Sequence, residues 1–428
     1  MQFASTRNPQ LQAGFSAAVT QGLAPDGGLY IPTRWPSLQL TADAGDLAQV
    51  SQQLLEPFAE GDPIAGQIPA VTREAFDFPA PLVPLGDTGN LSVLELFHGP
   101  TAAFKDFGAR FLAAVLTRLR RGAARPLQIL VATSGDTGGA VAAAFHRQPG
   151  IEVTVLFPKG RVSPTQERQL TCWGDNVRSL AVAGRFDDCQ RLVKEAFADA
   201  ELKQRFELSS ANSINLGRLL PQAAYYWASS LGVWRAHGKR ASYVIPSGNL
   251  GNATACVWAR QMGAPIDAIV LAHNANRTVP DFMEQGELRP RPSLATLSSA
   301  MDVGNPSNLE RLLALFPDAA RLRGAVTAVS IDDEATRERI RTDLRQYGHV
   351  WCPHTAVAAE AFARLSPVQR ARGAWVLVAT AHPAKFRETV EPLIGKPLSM
   401  PSNLAKLFER PSNFREIAAT LTELKRVL

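Results

Sequence analysis

The chain has 428 residues, 46% hydrophobic and 20% charged, a size and composition that support two or three compact domains and exclude disordered or low-complexity architecture. Its net charge of +6 is not gathered into a basic stripe interleaved with aromatics, and the densest cationic group, Arg118, Arg120, Arg121 and Arg125, falls where a helix should end. Carbonyl dipoles favour cations there, so the charge predicts no nucleic-acid partner and suits an anionic small molecule. Cys172, Cys189, Cys256 and Cys352 show no CxxC spacing, Met1–Gln10 is polar, and no apolar run approaches a membrane span of ~18 residues; a cytoplasmic protein without disulfides or membrane contact is expected.

Residues 1–84 read as a helical N-terminal cap, with a helical pattern over Gly45–Phe58 and a turn cluster at Pro25-Asp26-Gly27-Gly28. Beyond it, β-rich runs at Gln128–Thr133, Glu152–Phe157, Ser242–Pro246, Ala268–Leu271, Ala325–Ile331 and Trp375–Thr380 alternate with helix-period segments, and no internal repeat is present. That alternation predicts an α/β protein with open, mostly parallel sheets and covering helices, divided here into residues 85–235 and 236–428. In such sheets ligands bind beyond the carboxyl ends of the strands.

Lys105 stands in Phe97-His98-Gly99-Pro100-Thr101-Ala102-Ala103-Phe104-Lys105-Asp106-Phe107, at the entry of an apolar helical segment, Gly108–Leu119. Helix N-termini and apolar surroundings both disfavour an ammonium, which are conditions for a neutral nucleophilic amine; a surface lysine with an aliphatic stem laid over apolar neighbours is the alternative. The turn Thr133-Ser134-Gly135-Asp136-Thr137-Gly138-Gly139 closes a strand and opens the Ala140–Phe145 helix. Its amides and hydroxyls suit a carboxylate, or simply cap the helix. Ser247-Gly248-Asn249-Leu250-Gly251-Asn252 ends the strand at Pro246 and opens the helix Ala253–Met262. Two glycines there allow backbone amides to approach an oxyanion, and the lack of a Lys-Ser/Thr ending argues against a nucleoside triphosphate; a purely structural turn fits the same residues. His349, Cys352 and His354 supply too few ligands for a structural metal site, and Pro353-His354-Thr355 reads as the start of the helix Ala356–Ala363, so no metal is expected.

Taken together and in order, Lys105 between phenylalanines, the Ser134–Thr137 turn, the Gly248–Asn252 turn and Thr380-Ala381-His382-Pro383 resemble the fold type II pyridoxal 5′-phosphate (PLP) enzymes of the tryptophan synthase β family. Within it the chain is most similar to threonine synthases of the bacterial and fungal type, through Gly22–Tyr30, Pro158–Glu167, Ser210–Arg218 and Ala381–Phe386 as well. The resemblance implies that Lys105 holds PLP as a Schiff base and moves protons, with Phe104 packed near the ring. It implies further that Gly248, Asn249, Leu250, Gly251 and Asn252 wrap the cofactor phosphate, and that Thr380 hydrogen-bonds the pyridine nitrogen. A neutral hydroxyl there makes a weaker electron sink than an aspartate would, favouring elimination and replacement over transamination. Ser134, Gly135, Asp136 and Thr137 would receive the α-carboxylate of O-phospho-L-homoserine, which would yield threonine and phosphate. Its phosphate would fall to Lys159, Ser163, Arg168, Asn212, Ser213, Asn215 or Arg218, with Lys159 and Asn212 preferred. Asp136 replaces the asparagine that often contacts the PLP 3′-oxygen, and Leu250 replaces a frequent aromatic. A monomer or a homodimer fits equally. The competing expectations are a dehydratase or phospholyase of the same fold, which would need no second phosphate pocket, and a binding protein that has lost the chemistry.

Overall fold

The computed structural model describes residues 1–38, 45–86, 89–133 and 135–428. Two sheets carry the molecule. Six strands align in the order Thr327–Ser330, Ile266–His273, Ala241–Pro246, Ala374–Ala379, Leu91–Glu95 and Leu82–Pro84, and only the last pairs antiparallel. Five parallel strands make the other sheet, in the order Arg415–Ala418, Val177–Ala183, Ile151–Pro158, Leu127–Ala132 and Glu207–Ser210. Central strands such as Leu127–Ala132, Ala241–Pro246 and Ala374–Ala379 are buried along their whole length, as strands covered by helices on both faces must be. Among the described residues no helix is long and apolar enough to cross a membrane.

Three expectations need correcting. The N-terminal region is not purely helical: Gln2–Ser5, Gln12–Gly14 and Tyr30–Pro32 form a small antiparallel sheet in front of the helices Leu47–Ala59 and Ile68–Ala75. Strands of three or four residues are too short for alternation to register. Ala325 ends the helix Ala319–Ala325 rather than opening a strand, and the strand is Thr327–Ser330. Sheet membership also departs from a contiguous division at residues 84 and 235. The Leu82–Glu95 hairpin joins strands from the second half, and Arg415–Ala418 returns to the sheet built by residues 127–210.

Each sheet has a point where successive crossovers leave in opposite directions, and ligands favour the crevice there. In the six-stranded sheet it lies between Ala241–Pro246 and Ala374–Ala379; in the five-stranded sheet, between Leu127–Ala132 and Glu207–Ser210. The loops leaving all four strands contribute to one cavity, because Thr137, Ser213, Gly248 and Thr380 line it together.

The helix that begins at Lys105 packs closely against the segment around Arg218. Lys105–Leu119 buries Phe107, Phe111, Leu112, Val115 and Leu116 in the main core. Gly108 lets its backbone approach that segment directly: a Cβ there would lie 2.3 Å from the Arg218 carbonyl oxygen. Gly108→Ala should therefore destabilise the protein by about 1–3 kcal/mol through overpacking, despite alanine's helix preference of about 1 kcal/mol; urea unfolding of the two proteins measures it.

Candidate active site

Backbone pairing places Lys105 beside Thr380. Leu91–Glu95 and Ala374–Ala379 run parallel with Glu95 opposite Ala379, and their trailing loops stay bonded. Leu96 N–H donates to the Ala379 carbonyl (2.9 Å), Phe104 N–H to that of Thr380 (2.9 Å), and His382 N–H to that of Ala102 (3.1 Å). Ala102 adopts a left-handed φ of 52° to make this return. Asp106, buried in the first turn of the helix, accepts from the Thr101 N–H (2.8 Å) and Oγ1 (2.6 Å) and so closes the loop. A Cβ on Gly99 would lie 2.5 Å from the Asp106 carboxylate, which explains the glycine.

Lys105 reaches the cavity from this frame, with Nζ 5.3 Å from the centre of the Phe104 ring. Burial lowers its amine from 10.5 to about 8; Asp136 opposes that fall, and Arg218 and Lys385 add to it. A lysine with this titration supplies a neutral amine at mildly alkaline pH.

Opposite lies the Gly248–Asn252 turn. Leu250 takes a left-handed conformation (φ 62°) and the helix Gly251–Gln261 starts immediately after it, so its free amides head the turn. A Cβ on Gly248 would sit 2.7 Å from Met301 Cα, so only glycine permits this contact with the 299–301 segment. That segment is held from beneath by the Ala300 N–H donating to His354 Nε2 at 3.1 Å. Burial takes His354 down to about 4, leaving a neutral imidazole. Asn249 is braced on both sides: its Nδ2 donates to Ser213 Oγ (2.7 Å), its Oδ1 accepts from Ser307 N–H (2.6 Å), and its carbonyl accepts from Asn308 Nδ2 (2.9 Å). Fully buried Arg311 fixes Asn308 (2.6 Å) and reaches the carbonyls of Tyr30 and Ile214.

The second turn is organised by Thr133, whose Oγ1 accepts from the N–H groups of Gly135 and Gly138, both at 2.9 Å. The helix starts at Asp136, earlier than expected, so Asp136 and Thr137 belong to its first turn. Ser134 lies outside the described residues. Asp136 is paired with Lys385, Nζ to Oδ1 at 2.8 Å, both side chains buried. Gln166 Nε2 donates to the same oxygen at 3.2 Å, while Lys385 also donates to the Thr101 carbonyl at 2.9 Å. Burial alone would raise the Asp136 carboxyl, but Lys385, with His354 and Lys105, holds it well below the usual carboxylate range.

The cavity, about 670 Å³ including its open mouth, gathers Phe104, Lys105, Asp136, Thr137, Ser213, Arg218, Gly248 through Asn252 and Thr380. Gln222, Ala300, Met301 and His354, which sequence reasoning did not select, also line it. Other candidates lie apart from that lining. Lys159 forms an exposed ion pair with Glu416 (2.6 Å). Ser163 caps the helix Pro164–Thr171, and Arg168 donates to the Phe408 carbonyl. Asn212 donates to the Ala132 carbonyl at 2.9 Å, and Asn215, fully buried, caps Leu216–Leu219. Gly135 is wedged against Gln166 with φ 141°. Among the described residues no group of three or more His, Cys, Asp or Glu side chains could hold a metal ion; Cys352 caps the helix Pro353–Ala363.

These residues fit PLP on chemical grounds. Two buried donors on the cavity wall, Asn252 Nδ2 and Arg218 Nε, have no partner in the protein, and both suit an anion. A lysine of lowered pKa faces a glycine-lined helix N-terminus, and Thr380 offers a neutral hydroxyl beside it.

Two measurements test the electrostatics. In the apo-protein the Lys105 amine should titrate near 8, read as the pH dependence of its reductive methylation. Its folded pKa lies below the unfolded value of 10.5, so the unfolded chain binds more protons between these values and apo-protein stability should rise with pH across that window. Lys105→Met should abolish this rise. Lys385→Met strands a buried carboxylate and should cost about 3–5 kcal/mol in denaturant unfolding, with most of it recovered in the Lys385→Met/Asp136→Asn double variant.

Comparison with known proteins agrees with this geometry. A family model described as pyridoxal-phosphate dependent enzyme matches residues 76–381, and models of the threonine synthase N terminus and C-terminal region match 2–76 and 355–428. Threonine synthase of Escherichia coli K12 is 40% identical over 97% of this chain and 96% of its own length; that of Haemophilus influenzae is 39% identical over 100% and 99%. The crystal structure of the E. coli protein superposes with a TM-score of 0.90 at 38% identity, covering 100% of this chain and 99% of that one. PLP-bound threonine synthase from Brucella melitensis superposes with 0.90 at 35%, covering 100% and 98%. With the N-terminal, catalytic and C-terminal regions all matched and the lysine, anion turns and hydroxyl gathered in one cavity, the chain belongs to the threonine synthase family of PLP-dependent enzymes.

Proposed function

We propose that this enzyme converts O-phospho-L-homoserine and water to L-threonine and inorganic phosphate, with Lys105 as the residue that moves protons. The observation that carries the reading is one cavity whose lining holds donors enough for two anions. The Gly248–Asn252 helix N-terminus lines it with Ser213, whose Oγ accepts from Asn249 Nδ2 (2.7 Å), and Arg218 adds an unpartnered guanidinium nitrogen. A cofactor phosphate and a substrate phosphate each need such donors.

PLP, when bound, supplies the electron sink that makes the hydrogens of an amino acid's α and β carbons removable. Gly248, Asn249, Leu250, Gly251 and Asn252 would hold its phosphate, Lys105 its aldehyde carbon and Thr380 its ring nitrogen, with Phe104 against the ring. The turn from Ser134 to Thr137 is assigned to the substrate carboxylate, where helix N–H groups supply donors. Asp136 is poorly suited to touch that carboxylate itself, because its own charge is spent on Lys385. Its role is to hold the turn. Lys105 Nζ, largely neutral above about pH 8, would accept the proton from the substrate's α carbon and return protons where the product needs them. Arg218 stays charged, since burial lowers it only to about 10, and would balance the phosphate as it leaves the γ carbon. Water then adds at the β carbon.

Of the residues selected for the substrate phosphate, Ser213 and Arg218 are the ones retained. Lys159 and Asn212, preferred on sequence, are engaged elsewhere by Glu416 and the Ala132 carbonyl.

Turnover of O-phospho-L-homoserine, followed by amino-acid analysis and phosphate release, should give threonine and phosphate in equal amounts. Lys105→Ala should release neither. Formation of 2-oxobutyrate in place of threonine would overturn the assignment in favour of a dehydratase-like enzyme. Arg218→Met should raise KM for the phosphorylated substrate at least tenfold, the order expected for losing one charge-assisted contact.

A further inference from the structure

The side chain of Asn252 is held by two phenols that no part of the reaction uses. Tyr225 and Tyr226 belong to the helix Ala223–His237, and both hydroxyls point at Asn252 Oδ1, at 2.5 and 2.8 Å. Neither ring can turn freely. Tyr225 lies 4.9 Å from Tyr226 and 5.2 Å from Phe107, centre to centre, and Tyr226 makes an edge contact with Tyr243 at 5.0 Å. All four rings are fully buried.

Counting hydrogens fixes the amide. Burial pushes both phenols well above their ordinary pKa, so each keeps its proton and donates. Tyr225 has Gln222 Oε1 as a second acceptor at 2.9 Å, and Gln222 is itself anchored because its Nε2 donates to the Arg218 carbonyl at 2.6 Å. Tyr226 has no acceptor for its hydroxyl hydrogen other than Asn252 Oδ1 among the described residues. With the Asn252 amide turned over, its NH₂ group would face both hydroxyls and the Tyr226 hydrogen would be buried unpaired. The two oxygens thus hold Oδ1 inward and leave Nδ2 on the other side of the amide. Asn252 lines the cavity, and that nitrogen is buried with no protein partner. A buried amide nitrogen with two free hydrogens is costly unless a ligand completes it.

We propose that Tyr225 and Tyr226 are positioning residues that turn the Asn252 amide so that its nitrogen donates to the phosphoryl group of the cofactor. The inference rests on reading Gly248–Asn252 as the phosphate cradle. It adds to the backbone amides a side-chain donor whose direction is set from a helix 26 or 27 residues earlier in the chain. Removing the hydroxyls leaves the amide free to rotate and present its oxygen to an anion. Binding would then weaken with every backbone atom of the cradle in place.

The test compares PLP with pyridoxal, which lacks the phosphate, on the full-length apo-protein by equilibrium dialysis. Tyr226→Phe should weaken PLP about tenfold and Tyr225→Phe/Tyr226→Phe further, while pyridoxal affinity stays within about twofold, a tenfold change corresponding to the loss of about 1.4 kcal/mol. Asn252→Ala should weaken PLP as much as the double tyrosine variant, and adding Tyr226→Phe to it should change nothing more, because the residues act as one unit. Asn252→Asp, which keeps shape and acceptor but replaces the donor by an anion, gives the same reading without touching the aromatic cluster and should lose PLP by more than a hundredfold. Unchanged PLP affinity in the double tyrosine variant would overturn the proposal. Equal losses for PLP and pyridoxal would also overturn it, since they indicate packing. So would an effect confined to KM for O-phospho-L-homoserine, which would place the donor on the substrate's phosphate. Gly248→Ala separates the two levels of inference. If it too leaves PLP affinity intact, the cradle reading itself fails; if it weakens PLP while the tyrosine variants do not, only the tyrosine role fails.

Discussion

Lys385 and Asp136 form a fully buried ion pair between the loop that leaves the six-stranded sheet after Thr380 and the first helical turn above the five-stranded sheet. Withdrawing two such charges from water costs several kcal/mol per ion even after relaxation. The surroundings offset that cost with further polar contacts: the Thr101 carbonyl on Lys385, and the Gln166 amide and a helix N-terminus on Asp136. The pair therefore ties three segments at one point: the loop from Gly99 to Lys105, the segment after Thr380 and the turn that opens the Asp136–Phe145 helix. The tie sets how Asp136 and Thr137, above the five-stranded sheet, stand relative to Lys105, Thr380 and the Gly248–Asn252 turn, all of which follow strands of the six-stranded sheet.

The remaining polar groups follow from the same division. Cations and donors dominate the cavity: Lys105, Arg218, the Asn252 amide and the N-termini of two helices. The negative charge that lines the cavity, Asp136, is neutralised before a ligand arrives. His354 is kept uncharged by burial and acts as an acceptor for the 299–301 segment. Burial lowers the Lys105 amine, and Arg218 and Lys385 are near enough to lower it further while Asp136 opposes them.

Much of this was legible in the sequence, and the reasons are local. Lys105, Gly135–Thr137, Gly248–Asn252 and Thr380 each lie at the end of a strand or the start of a helix, and turn chemistry at such ends is written in a few consecutive residues. Contacts with remote partners leave no such local mark. Lys159 sits next to the right strand end, but Glu416, more than two hundred positions later, draws it to the surface. Asn215 and Asn212 have the chemistry of ligands and are used up holding backbone carbonyls. Lys385 lay within the Ala381–Phe386 segment but was given no role there, and Gln222, Asn308 and Arg311 belonged to no motif; what marks them is contact with Asp136, Arg218, Asn249 and Tyr30. The three short N-terminal strands left no periodic trace for the same reason of scale: they are recognisable only as a set.

The Leu82–Glu95 hairpin has a temporal meaning as well as a spatial one. Its neighbour in the six-stranded sheet is Ala374–Ala379, nearly three hundred residues downstream, and the five-stranded sheet is completed only by Arg415–Ala418. A chain emerging from the ribosome can build the central strands between residues 127 and 273 while both edges stand open. Lys105, at the start of the Lys105–Leu119 helix, then lacks its Thr380-side neighbours until almost the entire polypeptide has been made. Long-range parallel pairing of this kind is slow and exposes strand edges to wrong partners. The same topology ensures that an incomplete chain, lacking Thr380 and Lys385, carries Lys105 without the neighbours that complete its cavity.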